Sequence, residues 1–269
     1  LASPDPLGGV VSVDFENVLR SARRRLLKMH YESQVCHLGG NLSCLDALVT
    51  LQHRTLTKDD VFILSKGHSA GALYVALWSA GKLSEDDLKT FHQDGTRLAG
   101  HPASGWHPDI RFSTGSLGHG PGLAAGTALS RKLSGRSGRI FCLTSDGEWQ
   151  EGSCWEALTF AAHRGLDNLC LLVDQNGLQG FGSTEEVAST ADLEPRFRAF
   201  HAGVRTVDGH DPDALLAALD GSWEAPRIVV LRTVKGRFLP GLEGRMESHY
   251  LPLKADGYEA AVKACGEGL

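Results

Sequence analysis

Apolar residues recur along this chain at two periods, and the alternation between them sets the expected architecture. Four short runs are mainly apolar: Val61-Phe62-Ile63-Leu64, Ile140-Phe141-Cys142-Leu143-Thr144, Leu169-Cys170-Leu171-Leu172-Val173 and residues 228–233. Runs of this length and content read as strands buried on both faces of a parallel sheet. A further strand is expected at 205–207. Elsewhere apolar positions return at helical spacing, predicting helices over 15–31, 44–53, 70–80, 120–133, 193–200, 212–219 and 258–265. Another helix carries Trp155-Glu156-Ala157-Leu158 and Phe160-Ala161-Ala162. Ser84-Glu85-Asp86-Asp87 has the spacing of a capping box and opens one more.

Residues 95–116 show no period and are rich in Gly, Pro, His and Ser, so a long ordered loop is expected there. Loops of that length in compact domains are usually functional. The helix after it holds Ala124, Ala125, Gly126 and Ala128, as close packing on a sheet requires. Strands alternating with helices predict an α/β fold, a parallel sheet with helices on both faces. No repeat, linker or low-complexity break interrupts the pattern. One domain is expected over 15–269, preceded by a flexible tail over 1–14.

Composition narrows the partners. A hydrophobic content of 42% with 22% charged residues is that of an ordinary globular protein, and a net charge of -5 gives no reason to expect nucleic acid. Arg20, Arg23, Arg24, Arg25 and Lys28 form a basic cluster. With Val18, Leu19, Ala22, Leu26 and Leu27 between them, they read as the wet face of an amphipathic helix. The cysteines Cys36, Cys44, Cys142, Cys154, Cys170 and Cys265 form no CxxC pair and lie mostly in apolar runs. A reduced, cytoplasmic setting is the default for such thiols. No run approaches the length of a membrane span, and no signal-peptide core opens the chain, so no membrane partner is expected.

Candidate chemistry concentrates where two of the strands end. Asp146 comes just after the second apolar run, past Ser145, and Asn176 closely follows the third. In parallel strands joined by a helix, both residues face the edge where open α/β sheets bind ligands. A hard cation such as magnesium takes oxygen ligands and keeps phosphates as partners. A carboxylate, an amide oxygen and a diphosphate meet that need. An Asp-Gly turn with a distant Asn is by itself ordinary turn chemistry.

The whole stretch SDGEWQEGSCWEALTFAAHRGLDNLCLLVDQNGLQG, with its QEG and WEA elements, resembles the thiamine-diphosphate signature. More narrowly, it is similar to the amino-terminal, diphosphate-binding part of transketolases. Four further motifs follow that family's order, and the resemblance covers roughly 15–255. It implies the thiamine-diphosphate-binding fold, with Asp146, Asn176 and the carbonyl of Leu178 holding Mg2+ or Ca2+ against the diphosphate. Gly147 and Glu148 would contact the cofactor, and Glu151 would lie near the interface between paired sites.

Four of the twelve histidines stand in Gly-containing or otherwise distinctive loop motifs: His37, His68, His101 and His249. A lone histidine is most often structural, but loops on a rigid sheet carry catalytic side chains, and imidazole suits proton transfer near neutral pH. A zinc site is the competing reading, although the wide spacing gives no ligand pattern. The resemblance implies instead that all four line the substrate channel, with His68 and His249 also against the diphosphate. Ser113-Thr114-Gly115-Ser116-Leu117-Gly118-His119-Gly120 resembles the family's TG-x-LG-x-G loop, whose backbone near Gly115 and Leu117 would meet the cofactor. His119 stands where many members have Gln, Ser145 replaces a glycine, and Asn41 stands where Ser is common. Gly236-Arg237-Phe238 lacks the second glycine of the usual KGxG turn.

In the family a glutamate from a second, pyrimidine-binding domain activates the cofactor. That domain does not follow here, so the chain reads as the amino-terminal subunit of a split transketolase, or as a fragment. The helical ending near Lys263 favours the former. The resemblance then implies a partner carrying the pyrimidine domain, an α2β2 assembly, and transfer of a two-carbon ketol unit from a ketose phosphate to an aldose. Three alternatives stand beside it: delivery of the unit to a lipoyl or carrier-protein acceptor, the alpha subunit of a 2-oxo acid dehydrogenase, and an inactive cofactor-binding scaffold.

Overall fold

The computed structural model describes residues 14–190 and 192–266. The tail expected over 1–14 lies outside them except for Asp14, whose carboxylate accepts from Glu16 N at 3.1 Å and caps the first helix, α1 (Phe15–Ser33).

Five parallel strands build the sheet: β1 (Val61–Leu64), β2 (Ile140–Ser145), β3 (Leu169–Gln175), β6 (Gly203–Asp208) and β7 (Arg227–Arg232), in the order β1-β2-β3-β7-β6. A separate two-residue hairpin, β4 (Leu178–Gln179) and β5 (Gly182–Ser183), leaves the end of β3. Successive strand residues point to opposite faces, and the two cores follow that alternation. Phe62, Phe141, Leu143, Leu172, Val229 and Leu231 join one cluster; Ile63, Ile140, Cys142, Leu171, Ile228 and Val230 join the other.

The first core packs α1 against α2 (Leu38–Thr50), α3 (Ala70–Ser79), α9 (Pro212–Leu219) and α11 (Ala255–Ala264). The second holds α5 (Gly120–Leu133), α6 (Gly152–His163) and α8 (Leu193–Ala199). Fully burying each Leu, Val, Ile or Phe contributes roughly 1.5–3 kcal/mol. Between α4 (Glu85–Lys89) and α5 the chain is irregular, as the missing period of residues 95–116 predicted. Thr114 Oγ1 donates to the Leu64 carbonyl at 2.6 Å and fixes this loop to the end of β1.

Helix α2 begins at Leu38, well before the expected 44, because all of its residues are buried and no polar face marks its period. Two short helices, α7 (Thr184–Ala188) and α10 (Glu247–Tyr250), also escaped the periodicity. Ser183 and Glu186 form a capping box at the start of α7, a signal the sequence does carry.

The basic cluster of α1 is not a uniformly wet face. Arg23 and Arg25 are each only 6% exposed. Arg23 Nε donates to Asp46 at 2.8 Å and its Nη1 to Glu16 at 2.9 Å, while Arg25 Nε reaches Glu85 at 3.0 Å. Buried charges persist where partners compensate them, and sequence distance concealed Asp46 and Glu85.

His30 of α1 is buried beside Phe91, ring centroids 5.5 Å apart, and burial pushes its pKa down to about 4. The unfolded chain takes up that proton near 6.5 and the folded one does not. Stability therefore falls as pH drops from 6.5 toward 4, by about 2 kcal/mol at pH 5 from this group. Thermal unfolding at pH 7 and pH 5 should show the difference shrinking in His30→Gln; an unchanged difference would assign the pH dependence elsewhere.

Candidate active site

The register Ser145↔Asp174 aligns the carboxyl ends of β2 and β3, and so brings Asp146 and Asn176 to one edge. Asp146 is 1% exposed. Its Oδ1 accepts from Gly147 N at 2.8 Å and its Oδ2 from Gly177 N at 2.6 Å. Asn176 Nδ2 donates to Asp174 at 3.3 Å, and its Oδ1 accepts from Leu178 N at 3.1 Å. Burial, then the charge of Asp174, pushes Asp146 up to about 6 despite its two N–H donors. A buried carboxylate beside an amide oxygen and the Leu178 carbonyl is a hard-oxygen donor set of the kind that fits Mg2+ or Ca2+.

Lys235, which no strand or helix pattern singled out, donates to that Leu178 carbonyl at 3.0 Å. Burial, then Lys66, pulls its pKa down to about 8. An ammonium desolvated in this way suits an anion such as a diphosphate. The Lys-Gly step after β7 was the available signal. Farther along, Phe238 adopts φ 70, so the turn keeps the left-handed backbone that the absent glycine would give. Arg23 covers the Phe238 ring at 4.9 Å.

Glu148 is buried and faces away from a ligand role for its side chain. Its carboxylate accepts from Ser65 Oγ, from Gly118 N at 2.8 Å and from Ser145 N at 3.3 Å, tying three loops together. Any contact between Glu148 and a diphosphate therefore falls to its backbone. Gly115 has φ 147, and a Cβ there would stand 2.8 Å from the His101 ring. Leu117 is half-buried beside it. His119 is the exposed N-cap of α5 and makes no side-chain cap. Glu151 lies exposed at the start of α6.

The four motif histidines come from four separate segments and meet. The His37 ring lies 5.6 Å from that of His68, 6.2 Å from that of His101 and 4.8 Å from that of His249. His37 caps α2 with φ 70 and donates its N–H to the His249 carbonyl at 2.7 Å. Asn41 ties the group: its Nδ2 donates to the carbonyls of His37 at 2.9 Å and His68 at 3.2 Å. Burial lowers all four pKa values; for His249 it acts with Lys235 to reach about 3. Each ring is therefore neutral near pH 7, and a neutral imidazole offers one nitrogen as donor and one as acceptor. His249 Nδ1 is buried with no hydrogen-bond partner among the described residues. A cavity of ≈ 70 Å³ beside the cluster adds His30, Cys36 and His92, none of which the motifs singled out as site residues.

Residues 48–267 match the family described as transketolase, thiamine diphosphate binding domain. An apulose-4-phosphate transketolase subunit from Actinobacillus succinogenes is 35% identical over 93% of this chain and 95% of its own length. The 6-deoxy-6-sulfo-D-fructose transketolase subunit SqwG of a Clostridium species is 34% identical over 93% and 95%. Among solved structures, transketolase from Leishmania mexicana superposes with a TM-score of 0.85 at 27% identity, covering 94% of this chain and 41% of that one. Transketolase from Campylobacter jejuni superposes at 0.81 with 26% identity, covering 93% and 42%. The chain thus spans about two-fifths of those solved transketolases. With the acidic strand end, the clustered imidazoles and these likenesses in agreement, the chain belongs to the transketolase family and carries its thiamine-diphosphate-binding domain.

Proposed function

We propose that this chain is the diphosphate-binding subunit of a two-component transketolase, moving a two-carbon ketol unit from a ketose phosphate to an aldose. One observation carries the reading: Asp146 and Asn176 share a strand edge where Lys235 reaches the Leu178 carbonyl at 3.0 Å, and the rings of His37, His68, His101 and His249 meet. Asp146, Asn176 and the Leu178 carbonyl hold Mg2+ or Ca2+. Lys235, His68, His249 and the backbone near Gly115, Leu117, Gly147 and Glu148 hold the diphosphate. Thiamine diphosphate, when bound, supplies a nucleophilic thiazolium carbon. His37 and His101 orient the sugar hydroxyls, accept a hydroxyl proton and return it.

Relatives named as transketolase subunits favour a sugar acceptor over the carrier-protein, 2-oxo acid and scaffold alternatives. That those relatives of similar length are named as subunits, rather than as whole transketolases, supports a partner. In this reading the partner brings the pyrimidine-binding domain and its glutamate. In the same reading the assembly is α2β2, with Glu151, exposed at the start of α6, near the interface between paired sites. No helix among the described residues is long and apolar enough to cross a membrane, and all six thiols are free. A reducing cytoplasmic setting belongs to the same proposal.

Titrating the purified chain with its partner, with xylulose 5-phosphate as donor, tests the reading. Ketol transfer should be absent without the partner and should rise to a plateau as it is added. Ordinary rates from the chain alone, or turnover of pyruvate in place of the ketose, would overturn it.

A further inference from the structure

Behind the strand edge lies a buried ion pair that the proposed chemistry does not use directly. Lys66 and Asp174 have no solvent exposure and are in contact. Lys66 Nζ also donates to the Gly40 carbonyl at 3.1 Å. The Asp174 Oδ2 accepts from Lys66, from Ser43 Oγ at 2.6 Å and from Asn176 Nδ2 at 3.3 Å, while Oδ1 accepts from Thr233 Oγ1. One carboxylate therefore gathers α2, the turn that carries His68, the end of β3 and the end of β7 two residues before Lys235.

An amide presents a donor end and an acceptor end, and a carboxylate accepts only. With Nδ2 held on Asp174, Asn176 turns Oδ1 the other way, toward Leu178 N at 3.1 Å. Reversal would set an NH2 where a cation needs oxygen. Lys66 pairs directly with Asp174, and its charge also reaches Asp146. We propose that Lys66 and Asp174 are positioning residues that fix the polarity of the Asn176 amide for metal binding, a role that rests on the diphosphate–metal reading above. Groups behind metal ligands commonly act in this way.

A structural ion pair and a positioning pair predict different double variants. Replacing both members of a buried pair by apolar residues often leaves stability unchanged, whereas removing one strands a charge. The measurement is binding of Mn2+ by the assembled two-subunit enzyme with thiamine diphosphate, from the paramagnetic resonance signal of free Mn2+, alongside Tm. Lys66→Met should lower Tm, and the double variant Lys66→Met/Asp174→Leu should recover part of that loss, since Ser43, Asn176 and Thr233 still lose their acceptor. The double variant should still need roughly 10- to 100-fold more Mn2+ for half-saturation. Asp174→Asn, which preserves shape, should weaken Mn2+ binding in the same direction. Ser43→Ala with Thr233→Val removes two other donors to Asp174 and should lower Tm without moving the Mn2+ curve.

Parent-like Mn2+ binding in either Asp174 variant overturns the role. Should the double variant fail to fold, Asp174→Asn decides alone. A parent enzyme that binds no Mn2+ overturns the diphosphate–metal reading itself, and this role with it.

Discussion

Asp146→Ala is expected to abolish metal-dependent cofactor binding by the assembled enzyme while leaving the fold standing. The carboxylate accepts two backbone N–H groups, at 2.8 Å and 2.6 Å. Each such bond contributes about 0.5–1.5 kcal/mol net. Against that loss, removing Asp146 relieves its desolvation and its repulsion with Asp174, the causes that push its pKa up to about 6. The sign is opposite to that of a salt-bridged carboxylate: with the folded pKa above the unfolded one, ionisation destabilises the metal-free protein as pH rises toward neutrality. A bound cation would reverse that balance, and its uptake near pH 6 would release roughly half a proton from Asp146.

The fold therefore loses little, whereas the metal loses its anionic protein ligand. Half-saturation by Mg2+ should rise by at least about 100-fold, the upper end for loss of a mere supporting group. Calorimetric titration of thiamine diphosphate with and without Mg2+ measures it, and unchanged affinity in the variant would sink the assignment.

His101→Ala should lower ketol transfer by about 100- to 10,000-fold, the usual range for a lost proton-transfer group, with cofactor affinity close to the parent's. His101 is exposed and neutral near pH 7, and its proposed contacts are to sugar. Its loop is held without the ring: Tyr74 Oη donates to the Ala99 carbonyl at 3.0 Å and Thr114 N to that of Pro102 at 3.2 Å. His68 differs, since it is assigned to both sugar and diphosphate, and its removal should damage rate and affinity together. Separate measurement of kcat and cofactor Kd for the two variants distinguishes them. A His101 variant that loses affinity as steeply as rate would refute its placement toward substrate.

Local pattern alone carried much of the fold. Val61–Leu64 matches its apolar run, and Gly120–Leu133 and Pro212–Leu219 match their predicted spans, because burial by one or two faces imprints a period on consecutive residues. Asp146 and Asn176 were legible for a related reason: each follows an apolar run, and parallel strands end on the same edge. Where the period was masked the reading failed. Leu38–Ser43 is helical but buried all round, and the Leu178–Ser183 hairpin is too short to show alternation.

What only the tertiary structure decided is what distant residues do to one another. The order β1-β2-β3-β7-β6 is set by pairings between segments far apart in the chain. Lys66 and Asp174 lie 108 positions apart, and Asp46 and His210 lie 164 apart. Nothing in either neighbourhood marks its partner. The sequence determined that this chain builds a parallel sheet with an acidic strand end and motif histidines on its loops, because hydrophobic period and turn chemistry act locally. The folded structure decided which loops meet, which charges lose water and which way Asn176 turns, because desolvation and hydrogen-bond geometry exist only once those loops are packed together.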